Sequence, residues 1–123
     1  MPRIPLISVI DDDDALRGSL ENLIRSVGLG VQGFSSAETF LRSNQVQETS
    51  CLILDVRMHG MSGLELQRHM VLAGSQIPLI FITAHQNNDW RTQALEAGAV
   101  AFLYKPFHEE ELLNAIDAAL NDS

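Results

Sequence analysis

Five short apolar runs, each followed by a stretch of helical periodicity, constrain this chain more than any other feature. The runs lie at 6–10, 31–34, 51–54, 79–83 and 100–104. All but the second lack the polar–apolar alternation of a half-exposed strand. A strand that is apolar on both sides has to be covered on both faces, and strands alternating with helices place those covers above and below a parallel sheet. Right-handed crossovers leave few ways to wind such a unit. The pattern predicts an α/β fold built as (βα)5, a doubly wound five-stranded parallel sheet in the flavodoxin-like order 2-1-3-4-5, with 1–123 as one domain.

The helical stretches carry their own punctuation. Leu16, Leu20, Leu23, Ile24 and Val27 fall on one helical face, with Asp13 or Asp14 as cap and Gly28 as stop. Ser35 and Glu38 read as a capping box before a short helix through Phe40 and Leu41, and Ser62 and Glu65 as another before a helix ending near Gly74. A helix over 91–97 stops at Gly98. The last one opens on Glu109, Glu110 and Glu111, where acidic residues suit the helix dipole, and buries Leu112, Leu113, Ile116, Ala119 and Leu120.

Charge and cysteine content narrow the function. Sixteen acidic and eight basic residues give a net charge of −8, the wrong sign for binding nucleic acid or an anionic membrane directly. The lone Cys51 sits in an apolar run and excludes an internal disulfide framework. The apolar stretch at 6–10 is too short for a signal-peptide core and meets four aspartates, and no run nears the roughly 18 apolar residues of a membrane span. The expectation is a soluble cytoplasmic protein.

In a sheet of this order, ligands gather at the carboxyl ends of the strands, at the switch point between strands 1 and 3. Strand 1 delivers Asp11 and Asp12 there, strand 3 Asp55, strand 4 Thr83 and strand 5 Lys105, the only lysine in the chain. Two carboxylates about 4 Å apart repel by roughly 4 kcal/mol at an effective dielectric near 20. Lys105 offsets part of that, and a hard divalent cation suits the remainder. Mg2+ fits because it takes one or two carboxylates and keeps several waters; Mn2+ is its substitute. A carboxylate, a metal, a lysine and a hydroxyl around one cavity make a phosphoryl-transfer site in which the carboxylate attacks phosphorus. Asp55, the single carboxylate ending a wholly apolar strand, is the candidate nucleophile; the adjacent Asp11 and Asp12 suit the metal.

The segments Ile10-Asp-Asp-Asp13, Leu54-Asp-Val-Arg-Met58, Met61-Ser-Gly63, Ile82-Thr-Ala84, Ala97-Gly-Ala-Val100 and Lys105-Pro-Phe107, in this order and spacing, resemble the receiver domain of two-component response regulators. The stretches 36–41 and 97–107 look most like the FixJ-type subgroup, whose members usually carry a LuxR-type helix-turn-helix output domain. No such domain is found in these 123 residues, which leaves a stand-alone receiver or a piece of a longer regulator. The resemblance implies that Asp55 accepts a phosphoryl group from a sensor histidine kinase or phosphotransfer protein. Asp12 would be the direct Mg2+ ligand, Asp11 a ligand through water, and the Arg57 backbone carbonyl the remaining protein ligand beside Asp55. Thr83 would be the switch hydroxyl, Lys105 the phosphate-binding lysine with a cis peptide to Pro106, and Phe102 the aromatic that turns inward on activation. Partners would dock on the face of the fourth helix, fifth strand and fifth helix, with a phosphorylation-dependent homodimer as one option.

Where the family usually has proline, four residues after Asp55, this chain has His59, which frees the backbone that aims the Arg57 carbonyl. Arg57 and His85 occupy positions at which the family varies the lifetime of the acyl phosphate. Competing readings are a pseudo-receiver that docks partners without phosphorylation, an aspartyl-nucleophile phosphatase and a flavin or nucleotide carrier. Arg57 stands where such a phosphatase needs a second aspartate, and four aspartates after strand 1 repel a bound phosphate. Plain packing is the competing role for Phe102, and is the expectation for Trp90 and Met70. His69 and His108 are expected to be solvated helix residues.

Overall fold

The computed structural model describes residues 4–121. Five strands, β1 (Leu6–Ile10), β2 (Gly30–Phe34), β3 (Cys51–Asp55), β4 (Leu79–Thr83) and β5 (Ala101–Tyr104), alternate with five helices, α1 (Asp14–Ser26), α2 (Ala37–Arg42), α3 (Gly63–Leu72), α4 (Asn88–Glu96) and α5 (Glu109–Asn121). The strands form one sheet in the order β2-β1-β3-β4-β5, every pair parallel. This is the expected doubly wound arrangement.

The apolar runs dictate where the core lies. β3 and β4 are buried at every residue, whereas the edge strands β2 and β5 are partly exposed. Side chains alternate between faces along each strand. Ile7, Val9, Ile53, Ile80 and Ile82 face α1 and α5, where they meet Leu20, Ile24, Leu112 and Ile116. Ile10, Leu52, Leu54, Phe81 and Phe102 face the other side, with Phe40 from α2, Leu66 and Met70 from α3 and Ala94 from α4. Met70 and Trp90 pack there, as expected. Each such fully buried aliphatic or aromatic side chain contributes about 1.5–3 kcal/mol. Cys51 lies in the first cluster, and burial pushes its thiol up to about 12, so it is inert at neutral pH.

Several local expectations need correction. Helix α2 is capped by Ser36, which accepts from the Thr39 N–H at 3.1 Å, so Ser35 and Glu38 form no capping box. The cap shifts by one residue because Ala37 must turn into the core. Helix α4 starts at Asn88, ahead of 91, because the Asn87 side chain accepts from the Asp89 and Trp90 N–H groups. Strand β5 starts at Ala101, one residue late, and β2 at Gly30, one residue early. His108 precedes α5, its N–H bonded to Glu111. Asp13 caps α1 and the Ser62–Glu65 box opens α3, both as read from the sequence. Among the described residues no helix is long and apolar enough to cross a membrane.

Candidate functional site

The carboxyl ends of β1, β3, β4 and β5 bring together the residues that the sequence points to. Lys105 follows β5 directly, and its backbone N–H donates to the Thr83 carbonyl at 2.8 Å, which sets where its side chain leaves the sheet. The Lys105–Pro106 peptide is cis, as the resemblance implies. The ammonium then lies between two strands' carboxylates, 2.7 Å from Asp55 Oδ2 and 3.3 Å from Asp11 Oδ2. Residues 94 and 50 positions apart in sequence thus meet at a single nitrogen.

Each carboxylate is oriented by its own loop. Asp11 Oδ1 accepts from the Asp13 N–H at 2.9 Å, and Asp55 Oδ1 from the Arg57 N–H at 3.2 Å. Asp11 and Asp55 are buried, at 0% and 7% exposure, while Asp12 is the solvent-facing member. Asp12 Oδ2 accepts from the His59 N–H at 3.3 Å, so the loop after β3 closes onto the acidic loop after β1. Thr83 is fully buried; its Oγ1 accepts from the His85 N–H at 3.1 Å, and His85 in turn meets Trp90 edge-on. Phe102 is buried beside Phe81, ring centroids 5.8 Å apart, on the strand next to the one that Thr83 ends.

Gly63 opens α3 directly over β3. A Cβ there would collide with the Asp55 carbonyl oxygen, so only glycine lets the helix start so close.

Burial pushes the Asp11 carboxyl above its usual range; the Asp13 N–H and Lys105 pull it back, and Asp55 adds to the rise. Burial alone would lower Lys105, but Asp55 and Asp11 outweigh it and hold the ammonium above its ordinary value. Because the folded-state pKa of Asp11 is raised, its ionisation costs stability above the folded pKa, and the cost vanishes below the ordinary value of 3.8. Asp11→Asn is therefore expected to raise Tm at pH 7 in metal-free buffer. Each kcal/mol relieved is worth about 4 °C in a chain of this size. The gain should shrink as pH falls toward 4, which thermal melts at several pH values would follow.

Three carboxylates against one ammonium leave a formal excess of negative charge. Among the described residues no group of three or more His, Cys, Asp or Glu side chains is placed to hold a metal ion by itself. That excess of charge suits a hard cation that keeps much of its water and takes one or two carboxylates, as Mg2+ commonly does. A shallow cavity lined by Asp12, Arg57, Met58, His59, Ser62 and His85 opens beside it.

Two supporting residues escaped the sequence reading. Arg17 of α1 donates to the Asp11 carbonyl at 2.7 Å while paired with Asp14; its only sequence signal is the helical spacing to Asp14 and Glu21. Glu38 of α2, expected in a cap, instead accepts from the Met61 N–H at 2.9 Å. Nothing local signals that contact, because it spans 23 positions.

Comparison with known proteins accords with this arrangement. The family model described as "Response regulator receiver domain" matches residues 7–117. The response regulator protein TodT of Pseudomonas putida is 51% identical over 118 residues, covering 96% of this chain and 52% of TodT. The transcriptional regulatory protein FixJ of Azorhizobium caulinodans is 39% identical over 123 residues, covering all of this chain and 58% of FixJ. The chain thus spans about half the length of the curated relatives it matches. In three dimensions it resembles the crystal structure of FixJ-N, with a TM-score of 0.87 at 32% identity, over 99% of this chain and 98% of that one. With the fold, the strand order and nearly the whole length accounted for, the chain belongs to the receiver domains of two-component response regulators, and its relatives place it with the FixJ type.

Proposed function

We propose that this domain is a phosphoacceptor switch that takes a phosphoryl group onto Asp55 from the phosphohistidine of a sensor kinase or phosphotransfer protein. The observation that carries this reading is the shared contact of Lys105 Nζ with Asp55 at 2.7 Å and Asp11 at 3.3 Å. It holds an ammonium group against a buried, oriented carboxylate and ties that carboxylate to Asp11 at the end of the neighbouring strand.

In the transfer, an Asp55 carboxylate oxygen forms a bond to phosphorus while the donor's P–N bond breaks, its electron pair staying on the imidazole nitrogen. Lys105 neutralises charge on the phosphoryl oxygens, and Thr83 donates a hydrogen bond to one of them. Asp11, Asp12, Asp55 and the Arg57 carbonyl would hold Mg2+, which supplies further charge neutralisation when bound; Mn2+ would substitute. Reorientation of Thr83 toward the phosphoryl group would draw on the packing of Phe102, since β4 and β5 pair Phe81 with Phe102 and Thr83 with Tyr104. The surface formed by α4, β5 and α5 would then change its affinity for partners, a second copy of the domain being one option. The domain acts in signalling, not as a turnover enzyme. We place it in the cytoplasm as a single receiver unit, working through an effector or, in the longer regulators it resembles, a LuxR-type output domain.

Incubation with acetyl phosphate or phosphoramidate and Mg2+ is expected to add the mass of one phosphoryl group to the intact protein. EDTA should prevent the addition. Absence of labelling in the folded, Mg2+-loaded protein would favour docking without phosphorylation.

A further inference from the structure

The loop 56–62, which carries the Arg57 carbonyl, contains no proline and turns at Gly60 with φ of +77°. Such a segment has considerable backbone freedom, so something else has to fix it. Its ends are tied locally: the Arg57 N–H to Asp55 Oδ1 at 3.2 Å and the Gly63 N–H to the Val56 carbonyl at 2.9 Å. Its middle has two ties. One is the 3.3 Å contact of the His59 N–H with the exposed Asp12. The other comes from a different layer of the fold, where Glu38 Oε2 accepts from the Met61 N–H at 2.9 Å.

That second tie is built into its surroundings. A Cβ on Gly60 would collide with Glu38 Oε2, so the carboxylate fills the space that a side chain there would need. Glu38 Oε1 is shielded from solvent, and Met58 and Met61 pack against the same core cluster as Ala37 and Phe40 of α2. The Met61 N–H is also the main reason that the Glu38 carboxyl is held below its usual range. The carboxylate is therefore ionised at neutral pH and accepts a charge-assisted bond, the stronger kind.

We propose that Glu38 is a positioning residue for the phosphoacceptor site: from α2 it clamps the turn at Gly60 and Met61, and so keeps the Arg57 carbonyl aimed at the cation pocket. The proposal rests on the receiver reading for what the loop serves, but the clamp itself is measurable without phosphorylation. Glu38→Ala removes the acceptor, Glu38→Gln keeps one, and Gly60→Ala displaces it by a different route.

Amide exchange followed by NMR in metal-free protein is expected to be about tenfold faster at Met61 in Glu38→Ala, with β3 and β4 amides unchanged. Glu38→Gln, which keeps an acceptor but loses its charge, should fall between Glu38→Ala and wild type. Titration with Mg2+ alone should show weaker binding in Glu38→Ala and Gly60→Ala, by about three- to tenfold, with a smaller loss in Glu38→Gln. Labelling by acetyl phosphate should need correspondingly more Mg2+ in Glu38→Ala and reach the same maximal rate.

Wild-type Met61 exchange in Glu38→Ala would overturn the clamp. So would faster exchange with unchanged Mg2+ affinity, because the loop would then be loosened without consequence for the pocket. If no protein, wild type included, is labelled, the phosphoacceptor reading fails, while exchange and Mg2+ titration still decide the role of Glu38.

Discussion

Asp55→Asn is expected to abolish phosphoryl uptake, a drop of at least about a thousandfold, because an amide offers no nucleophilic oxygen comparable to a carboxylate. The change is close to isosteric, and the amide side chain keeps a carbonyl oxygen for the Lys105 ammonium or the Arg57 N–H, which now bond to Asp55 Oδ2 and Oδ1. It also removes one of the negative charges crowded around Lys105. The variant should therefore fold normally, and in metal-free buffer melt no lower than wild type. Intact-protein mass spectrometry after exposure to acetyl phosphate and Mg2+ reads the first effect, and a thermal melt the second. Label on another residue of the variant would move the acceptor away from Asp55.

Lys105→Met should damage stability as well as function. The lysine side chain is 19% exposed, Asp11 1% and Asp55 10%, so the three charges share a largely desolvated space. Removing the cation leaves two buried carboxylates facing each other, and breaking a buried pair in this way costs about 3 kcal/mol or more. The loss should depend on pH with a definite sign. Without the ammonium the Asp11 carboxyl, already raised, rises further. The penalty is then full at neutral pH and declines as the solution is acidified toward the ordinary carboxylate value of 3.8, because the folded protein takes up the proton first. Denaturation midpoints of the variant and wild type should therefore converge toward pH 4. Phosphoryl uptake should fall by about a hundredfold or more, since one preorganised charge facing the transferred group is gone. A wild-type midpoint at pH 7 would show that Lys105 does not neutralise this cluster.

The fold was legible because its strands are wholly apolar and their helices well punctuated. Residues 51–54 and 79–83 could only be buried strands, and their ends delivered Asp55 and Thr83 to the same edge. Lys105 was legible for a related reason: a lone lysine directly after an apolar run is out of place unless an acidic partner receives it. What the sequence could not reveal is support that reaches across layers. Ser35–Glu38 has the spacing of a capping box, and local spacing is all that a capping rule examines. The tertiary demand to bury Ala37 and Phe40 moved the cap to Ser36 and freed Glu38 for Met61. Arg17 was hidden similarly, because its partner is a backbone carbonyl and carbonyls leave no trace in composition. The early start of α4 was nearer to hand, since Asn87 is a favourable cap, but the polar residues around it look like loop.

The seating of Gly63 on the Asp55 peptide has a mechanical consequence. With no side chain between them, the first turn of α3 and the end of β3 have no compressible layer to take up a displacement. The Gly63 N–H, bonded to the Val56 carbonyl, pins the joint a second time. Strand end and helix start are therefore joined stiffly, so a shift of the backbone at residue 55 has to be taken up by the first turn of α3.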